Sequence, residues 1–500
     1  MPSAAIKELV AKLSKSGILL SAGTESFEIE EASVEAVAAK LAERHKGDAK
    51  QSIIVGKEEL ENVMKELEME KIPVAVEAVH EAGYRPVAAD VDAQYSIDAM
   101  HEEASDGTVD SFVAYFRSRL KKIAAMLNSR SSLPMLLPTL GSMGAYTDGR
   151  EVTVLGMVSN KLTTKNGNIL VILEDETSTA KLIFMHSADP QTSELFNLAG
   201  SIVTDEVIAV SGKISGPFVI VKKMVWPDVP IKTKKQVKDD VAIAFISDVH
   251  AGSKLFLQDK FMRFINWLNG GIDAKKELAA KVKYLVITGD VVDGIGIYPK
   301  QANDLAVLDI YTQYRMFLNF IEAIPDYIHV FILPGNHDAV QLAEPQPSIS
   351  KEMLGGFSKD NVHFVSNPCY LTLHGIEVLG YHGASLDSVI RAVPGTSYAF
   401  PEKAMTELLR RRHLSPIYGY NAIVPSRNDS LVIDKVPDIL AMGHLHRNGI
   451  SSYHGVNILN SGTWQDRTDY QILLGHMPTP CIASIYEASR GDFTMINFNS

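Results

Sequence analysis

Five short polar motifs follow one another along the second half of the chain, each directly after a run of apolar residues. They are Asp248-Val249-His250, Gly289-Asp290, Gly335-Asn336-His337-Asp338, Tyr381-His382 and Gly443-His444-Leu445-His446. A short run of apolar residues is typical of a buried strand, and the ends of such strands meet at one edge of a sheet. The motifs therefore predict a single site built from the ends of several strands.

These motifs supply carboxylate oxygens, one amide oxygen and several imidazole nitrogens. Such a mixed set suits manganese, iron or zinc better than an all-oxygen magnesium or calcium site. In Asp-x-His and His-x-His, alternate residues of an extended chain point to the same side, so both can face one metal region. One ion cannot use so many groups, whereas two ions about 3.5–4 Å apart that share a carboxylate can. The eight candidates are Asp248, His250, Asp290, Asn336, His337, His382, His444 and His446.

Length and composition narrow the class of protein. A chain of 500 residues with 46% apolar and 22% charged residues predicts two to four globular domains. It contains no uninterrupted apolar run of about 18 residues and no apolar signal core, so we expect no membrane association. Two distant cysteines, Cys369 and Cys481, argue against disulfides and thiolate zinc and favour a reducing cytoplasm. A net charge of -12 argues against a free-standing, non-specific nucleic-acid binder.

The first 145 residues divide by composition. Residues 1–75 are predicted to form a helical module, because Ile6, Leu9 and Leu13 recur at helical spacing. Residues 76–145 are predicted to be an acidic linker followed by one amphipathic helix. The basis for the linker is the stretch from Asp90 to Asp110, which has seven acidic residues and no Lys or Arg.

The remainder is predicted to hold two domains, which makes the chain a multidomain α+β protein. Residues 146–232 contain five short strand patterns, and Asn166-Gly167 between the first two is a strong hairpin signal. A small OB-fold barrel is the leading interpretation, serving either as a structural element or as a platform for single-stranded nucleic acid. Residues 240–500 alternate strand and helix patterns, which predicts an α/β domain with two facing sheets.

The order of the five motifs resembles that of the calcineurin-like metallophosphoesterase superfamily. The resemblance implies two divalent cations, manganese first, with iron, zinc or magnesium as alternatives. One would be held by Asp248, His250, Asp290 and His446, and the other by Asp290, Asn336, His382 and His444. The resemblance also implies two catalytic residues. His337 would protonate the leaving oxygen, and Asp338 would orient His337.

Further motifs indicate the branch of the superfamily. The segment Gly289-Asp290-Val291-Val292-Asp293-Gly294 lacks the Arg that protein phosphatases carry after the second Asp, which argues against a phosphoprotein substrate. A barrel before the phosphoesterase domain, with the segments 408–416, 344–347 and 461–465, resembles the small subunit of archaeal family D DNA polymerase. The resemblance covers residues from about 150 to the C-terminus.

This resemblance implies a proofreading 3′-to-5′ exonuclease that acts beside a separate large catalytic subunit. Its substrate would be DNA with single-stranded or frayed 3′ ends, and a sliding clamp is a further candidate partner. Polymerase activity would belong only to the complex. Two other functions stay open: an architectural subunit with vestigial phosphoesterase activity, and a stand-alone phosphatase or cyclic-nucleotide phosphodiesterase. The complete ligand set disfavours the architectural alternative.

Two groups of side chains are candidates for DNA contacts outside the metal site. Arg410, Arg411 and Arg412 could clamp phosphates, or equally could form a basic helix end that meets a helix dipole or a partner subunit. Tyr381 and Trp464 could stack on a terminal base, although burial in the core is the favoured interpretation for both.

Overall fold

The computed structural model describes residues 4–15, 17–21, 24, 33–45, 53–57, 59–60, 63, 84–99, 105–129, 133 and 135–499. The chain divides into two compact units, Met1–Glu77 and Ala78–Ser500. Within the described ranges, no helix combines the length and apolar character needed to cross a membrane.

The first unit contains helices and two short strands. Its elements are α1 Ala4–Ser14, β1 Ile18–Leu20, α2 Val34–Arg44 and β2 Ile53–Val55. The two strands pair in parallel, which the prediction of a purely helical module did not include. Ile6, Leu9 and Leu13 of α1 are buried against α2 in one apolar cluster, as their helical spacing predicts. Much of the predicted 1–75 module lies outside the described residues.

The second unit contains the remaining seventeen strands and eight helices of the described chain. The strands are β3 Tyr95–Ala99, β4 Glu151–Thr163, β5 Ile169–Glu174, β6 Thr179–Phe184, β7 Val207–Ser215, β8 Phe218–Val225, β9 Ala242–Ile246, β10 Val282–Thr288, β11 His329–Leu333, β12 Val362–Phe364, β13 Cys369–Leu373, β14 Ile376–Gly380, β15 Ile439–Met442, β16 Gly449–Tyr453, β17 Val456–Asn460, β18 Ile482–Glu487 and β19 Asp492–Asn497. The helices are α3 Val109–Asn128, α4 Pro190–Gly200, α5 Gln258–Leu268, α6 Lys276–Ala279, α7 Ile310–Glu322, α8 Leu386–Ala392, α9 Pro401–Arg411 and α10 Asp469–Leu473.

The prediction of an acidic linker is wrong in part, because strand β3 lies within that segment. This strand pairs antiparallel with β13 and forms the edge of a sheet. Its Tyr95 ring packs against Phe331, with centroids 5.4 Å apart, and against His329 and His363 at 4.9 Å. Aromatic packing of this kind stabilises the segment despite its acidic composition. The amphipathic helix is present as α3, and the Thr108 side chain caps its first turn.

The region that was predicted to form a small barrel contains a closed five-stranded barrel. Its strand order is β4-β5-β6-β8-β7, and α4 connects β6 to β7. Alternate residues of each strand, such as Val152, Val154, Val171 and Leu173, fill its interior. The predicted hairpin joins β4 to β5, and Gly167 has the positive φ of 78° that its turn requires.

The rest of the unit is built on two six-stranded sheets. Their orders are β12-β11-β10-β9-β18-β19 and β16-β17-β15-β14-β13-β3. Residues of both sheets, among them Phe245, Phe331, Val378 and Ala441, share one apolar cluster, so the sheets pack face to face. Strands β9, β10 and β11 run parallel, as do β14, β15 and β17. Parallel strands end at the same edge, which is where the predicted ligands lie.

Candidate metal centre

The predicted ligands follow the ends of five strands and form two clusters. Ligand atoms of Asp248, His250 and His446, which we call the first cluster, lie within 4.8 Å of one another. Those of Asp290, His382 and His444, the second cluster, meet the same limit. Asn336 joins the second cluster, because its Oδ1 atom lies 3.0 Å from Nε2 of His382. The structure therefore brings together all seven side chains predicted to bind metal.

Five of these seven residues have left-handed backbone conformations. Asp248, His250, Asp290, His444 and His446 have φ angles between 52° and 68°. Such angles cost about 1–3 kcal/mol for residues other than glycine, and they concentrate at functional sites. Two neighbouring glycines leave room for the carboxylates: a Cβ atom at Gly335 would overlap Asp290, and one at Gly443 would overlap Asp248. The backbone is thus strained and cleared of side chains where the polar groups converge.

Asp290 lies between the two clusters. Its Oδ2 atom is 3.3 Å from Nε2 of His382 and 3.9 Å from Nε2 of His250. Its other oxygen, Oδ1, accepts a hydrogen bond from the backbone N–H of His337 at 2.8 Å. One carboxylate oxygen is therefore fixed by the backbone, while the other lies within 4 Å of one histidine of each cluster.

The carboxylate of Asp248 shows directly that the first cluster suits a cation. Its Oδ1 atom is buried and accepts no hydrogen bond in the described part of the chain. Nε2 of His446 lies 3.3 Å from it, and Nε2 of His250 lies 3.0 Å from that same nitrogen. A buried carboxylate oxygen without a donor is costly, and a cation between these atoms would remove that cost.

Electrostatics in the site also favour positive charge. Burial opposes protonation of His250, yet the neighbouring carboxylates of Asp248 and Asp293 raise its pKa to about 10. Burial likewise opposes protonation of His382, whose pKa Asp290 raises to about 9. Burial would raise the pKa of Asp290, but His382 and His337 hold it below its usual value. A buried group of carboxylates that attracts protons this strongly also attracts divalent cations.

A polar neighbour outside the two clusters orients the imidazole ring of each of three histidines. Nδ1 of His250 lies 3.1 Å from Oδ1 of Asp293, and Nδ1 of His382 donates to the carbonyl oxygen of Thr288 at 2.8 Å. Nε2 of His444 lies 3.3 Å from Oδ2 of Asp387, which leaves its Nδ1 for the second cluster. Contacts of this kind fix the tautomer and direction of metal-binding histidines. Asp293 and Asp387 were not among the predicted site residues.

His337 lies beside the two clusters and lines the cavity next to them. Its Nδ1 atom donates to the carbonyl oxygen of Asp293 at 2.7 Å, so Nε2 is the nitrogen that remains for other chemistry. The ring is half-buried, and it lines a cavity of about 250 Å³ together with His250, Asp290, Asn336, His444 and His446. Burial lowers the pKa of His337, against the pull of Asp290. The arrangement provides a protonatable group beside a cation site.

Comparisons with known proteins place the chain in a family. Residues 243–449 match the family model for the B-subunits of DNA polymerase alpha/epsilon. The DNA polymerase II small subunit of Archaeoglobus fulgidus is 41% identical over 392 residues, which cover 78% of this chain and 77% of that relative. The DNA polymerase II small subunit of Methanothermobacter thermautotrophicus is 38% identical, with 83% of this chain and 84% of the relative covered. The chain belongs to the DNA polymerase II small-subunit family. The resemblance inferred from its motifs is confirmed.

The span 243–449 that matches the family model includes all seven candidate ligands and His337. A further family member, from Methanocaldococcus jannaschii, is 38% identical and covers 81% of this chain and 68% of its own length. The site therefore lies within the part of the chain that defines the family.

Asp338 is not placed to orient His337, which corrects its predicted role. Its carboxylate accepts hydrogen bonds from the backbone N–H groups of Gly335 at 2.8 Å and Val291 at 3.3 Å, and from the Tyr314 hydroxyl at 3.2 Å. Burial, with Asp290 nearby, raises the pKa of Asp338 to about 7. Asp338 instead holds the turn that presents Asn336 and His337.

Arg410, Arg411 and Arg412 lie away from the cavity, which argues against the first of their two alternatives, the phosphate clamp. Arg411 is 1% exposed and forms ion pairs with Glu206 and Glu407. Arg412 donates to the carbonyl oxygens of residues 433 and 434 at 2.8 and 2.9 Å. Arg410 pairs with Glu407 at 2.6 Å and lies 5.6 Å from the centroid of the Trp226 ring. None of the three lines the cavity; they join α9 to the barrel and its exit segment.

Tyr381 and Trp464 are core residues, in agreement with the favoured interpretation. The Tyr381 hydroxyl is buried and donates to Oε1 of Glu344 at 2.7 Å. Trp464 is buried among phenylalanines, with its centroid 5.0 Å from Phe261 and 5.4 Å from Phe264. Neither ring is available to a base.

Replacing Asp290 with asparagine is expected to reduce Mn²⁺ binding from two ions per chain to one or none. The reason is that its Oδ2 atom neighbours both clusters, and an amide carries no charge to offset that of two cations. Titration calorimetry on chelator-stripped chain measures the stoichiometry. Asp259→Asn, an exposed carboxylate on α5, is the matched control and should bind as the wild type does. Two ions bound by Asp290→Asn would contradict the shared-ligand assignment.

Proposed function

We propose that this chain is the proofreading 3′-to-5′ exodeoxyribonuclease of a DNA polymerase, and that it acts in a heterodimer with the large catalytic subunit. The observation that carries the proposal is the convergence of seven metal-ligand side chains and His337 at one strand-end cavity. A family member that served only as a scaffold would have no need for strained ligand positions or for a buried carboxylate oxygen without a donor.

Each part of the site has a chemical role in this proposal. Asp248, His250, Asp290 and His446 would hold one cation, and Asp290, Asn336, His382 and His444 the other. Two such ions, manganese first and otherwise iron, zinc or magnesium, supply Lewis-acid stabilisation of charge on the phosphate. His337 donates a proton to the 3′ oxygen as its bond to phosphorus breaks, while the Asp293 carbonyl keeps the ring oriented.

The shape of the cavity favours a single-stranded end as the substrate. At about 250 Å³ it is smaller than a typical small-molecule pocket of roughly 300–1,000 Å³, which favours a single nucleotide as its occupant. A mismatched 3′ end leaves the duplex more readily, because less pairing and stacking has to be lost. Selection of mismatched ends thus needs no reading of the bases.

We further propose that the barrel is an OB-fold. Its first, second, third, fifth and fourth strands are neighbours in that order, and a helix joins the third strand to the fourth. The barrel is tied to the two-sheet domain by a buried ion pair between Arg411 and Glu206, at 2.6 Å. This rigid junction favours a second candidate function, an architectural subunit that tethers the large subunit and, through it, a sliding clamp. The two functions are compatible in one chain.

Digestion of labelled DNA tests the proposal. Single-stranded DNA labelled at its 3′ end is incubated with the chain alone and with the heterodimer, in Mn²⁺ and in chelator. We expect metal-dependent release of labelled mononucleotides, while a 5′-labelled strand shortens one nucleotide at a time. Absence of release in both forms would leave the architectural function alone. A strong preference for small phosphoesters over DNA would instead favour the stand-alone phosphatase or phosphodiesterase.

A further inference from the structure

A succession of aromatic rings leads from His337 to solvent along one wall of the cavity. The Tyr298 ring centroid is 6.5 Å from that of His337, and the Tyr470 centroid is 6.2 Å from that of Tyr298. The planes of the two tyrosines are nearly parallel, 16° apart, and all three rings line the cavity. Tyr470 is 58% exposed, which is unusual for a ring so close to a buried polar site. We call Tyr298 and Tyr470 the tyrosine pair.

Both members of the tyrosine pair are held in place by polar contacts. The Tyr298 hydroxyl donates to Oδ2 of Asp304 at 3.0 Å. Tyr470 belongs to α10, whose first turn is fixed by a reciprocal capping box between Thr468 and Gln471. The side-chain amide of Gln471 also lies 2.8 Å from Nδ1 of His446, a member of the first cluster. The pair therefore has a defined position relative to the candidate metal centre.

The surface beyond the pair is apolar as well as aromatic. Ile472, Leu473, Leu474 and Met477 are 49–81% exposed on and after α10. Exposed apolar groups in one short segment, continuous with a cavity, are typical of a surface that receives an apolar ligand. Bases of a single strand have exposed apolar faces, and they stack on aromatic side chains with little regard to sequence.

We propose that the tyrosine pair binds the base of the penultimate nucleotide, on the 5′ side of the bond that is cut; this rests on the proposed function. During cleavage a bond forms between water oxygen and phosphorus, and the bond between phosphorus and the 3′ oxygen breaks. His337 gives its proton to that 3′ oxygen, which belongs to the penultimate nucleotide. The penultimate nucleotide accordingly lies on the side of the cavity where Tyr298 adjoins His337.

A further ring pair of the cavity, Tyr398 with His476, makes no ring contact with His337 in the described part of the chain. Tyr398 and His476 have centroids 4.1 Å apart, and Tyr398 is hydrogen-bonded to Asp387, the partner of His444. These rings are therefore reached from the second cluster. The terminal nucleotide keeps the phosphate after cleavage, and its 5′ oxygen is a different substituent of phosphorus from the leaving 3′ oxygen. Removal of the terminal base should therefore not change binding at the tyrosine pair.

Fluorescence of an oligonucleotide with 2-aminopurine at the penultimate position tests the proposal without catalysis. Full-length chain is titrated in chelator. The wild type should quench the fluorophore by stacking, Tyr470→Ala should bind about 5- to 100-fold more weakly, and Tyr470→Phe should restore binding. Tyr311→Ala, an exposed tyrosine of α7 outside the cavity, is the matched control. Unchanged quenching in Tyr470→Ala would overturn the proposal.

An abasic site assigns the base to its position. In Mn²⁺, loss of the penultimate base should lower kcat/KM of the wild type about as much as Tyr470→Ala lowers it on the intact strand. The two changes together should lower kcat/KM no further than either change alone. Loss of the terminal base should instead add to the effect of Tyr470→Ala. Additive effects at the penultimate position would overturn the proposal. If the wild type hydrolyses bis-p-nitrophenyl phosphate but no DNA, the proposed exonuclease function is rejected. Quenching that depends on Tyr470 would in that case still support the base-binding site. Absence of such quenching would reject the base-binding site as well.

Discussion

His337→Ala is expected to slow release of 3′-terminal nucleotides by about 10²- to 10⁴-fold, the usual contribution of a general acid. Metal binding should stay at two ions per chain, because His337 belongs to neither of the two ligand clusters. Its ring lies near His250 and Asp293, and its Nδ1 donates to the carbonyl oxygen of Asp293. Single-turnover digestion of a 5′-labelled strand measures the rate, and calorimetry with Mn²⁺ measures the stoichiometry. His454→Ala, an exposed histidine outside the cavity, should behave as the wild type.

The leaving group distinguishes proton donation from other roles of His337. A 3′ oxygen of deoxyribose is a poor leaving group and needs a proton, whereas p-nitrophenolate leaves without one. His337→Ala should therefore impair digestion of DNA far more than hydrolysis of bis-p-nitrophenyl phosphate. Equal losses on the two substrates would show that His337 acts by binding or by positioning the phosphate, and would remove it as the acid.

The ligand set could be predicted because its geometry follows from strands. An apolar run that ends in Asp, Asn or His defines a strand end, and parallel strands deliver their ends to the same edge. Asp248 and Asp290 are thus brought together by sheet order, and His382 joins them because the second sheet packs face to face with the first. Asp387 could not be found in this way. It lies on α8, and its contact with His444 depends on where that helix packs rather than on any pattern in the sequence.

Three features of the structure were not predicted, because the local sequence does not show what decides them. A basic run reads the same whether it faces DNA or protein, and the partner of Arg411 is Glu206, 205 positions away in the barrel. Asp338 adjoins His337 in sequence, but a tight turn directs its carboxylate to backbone N–H groups instead. The edge strand β3 was missed because its acidic composition outweighed the short Tyr95–Ala99 pattern.

The largest expected loss of stability comes from Asp429→Ala. This carboxylate is fully buried; its Oδ2 atom accepts from Nε of Arg119 on α3 at 2.8 Å and from Nε2 of His413 at 2.9 Å. Burial, with Arg119 nearby, lowers the pKa of His413 to about 4, so the ring is neutral at pH 7 and the charge pair is Asp429 with Arg119. Alanine would leave the Arg119 charge buried without a counter-ion, at a cost of about 3–5 kcal/mol.

Asp434→Ala is the matched control for this prediction. Its carboxylate also meets a basic group of α3, Lys122, at 2.7 Å, but its side chain is 52% exposed. An exposed pair contributes about 0–1 kcal/mol, so the control should unfold close to the wild type in thermal melts followed by circular dichroism. If the two variants melt together, the buried pair does not hold α3 in place.

The same three groups make a contribution of their own to the pH dependence of stability. His413 has a folded pKa of about 4, below the value of about 6.5 in an unfolded chain. The unfolded state therefore binds more protons between these values, and the melting temperature should fall as the pH drops from about 6.5 towards 4. Asp429 is held below its usual pKa by His413 and Arg119 in spite of burial, so its contribution is lost only below about pH 3.9. His413→Gln, which cannot take up a proton, should flatten the loss between pH 6.5 and 4; an unchanged slope would mean that other histidines cause it.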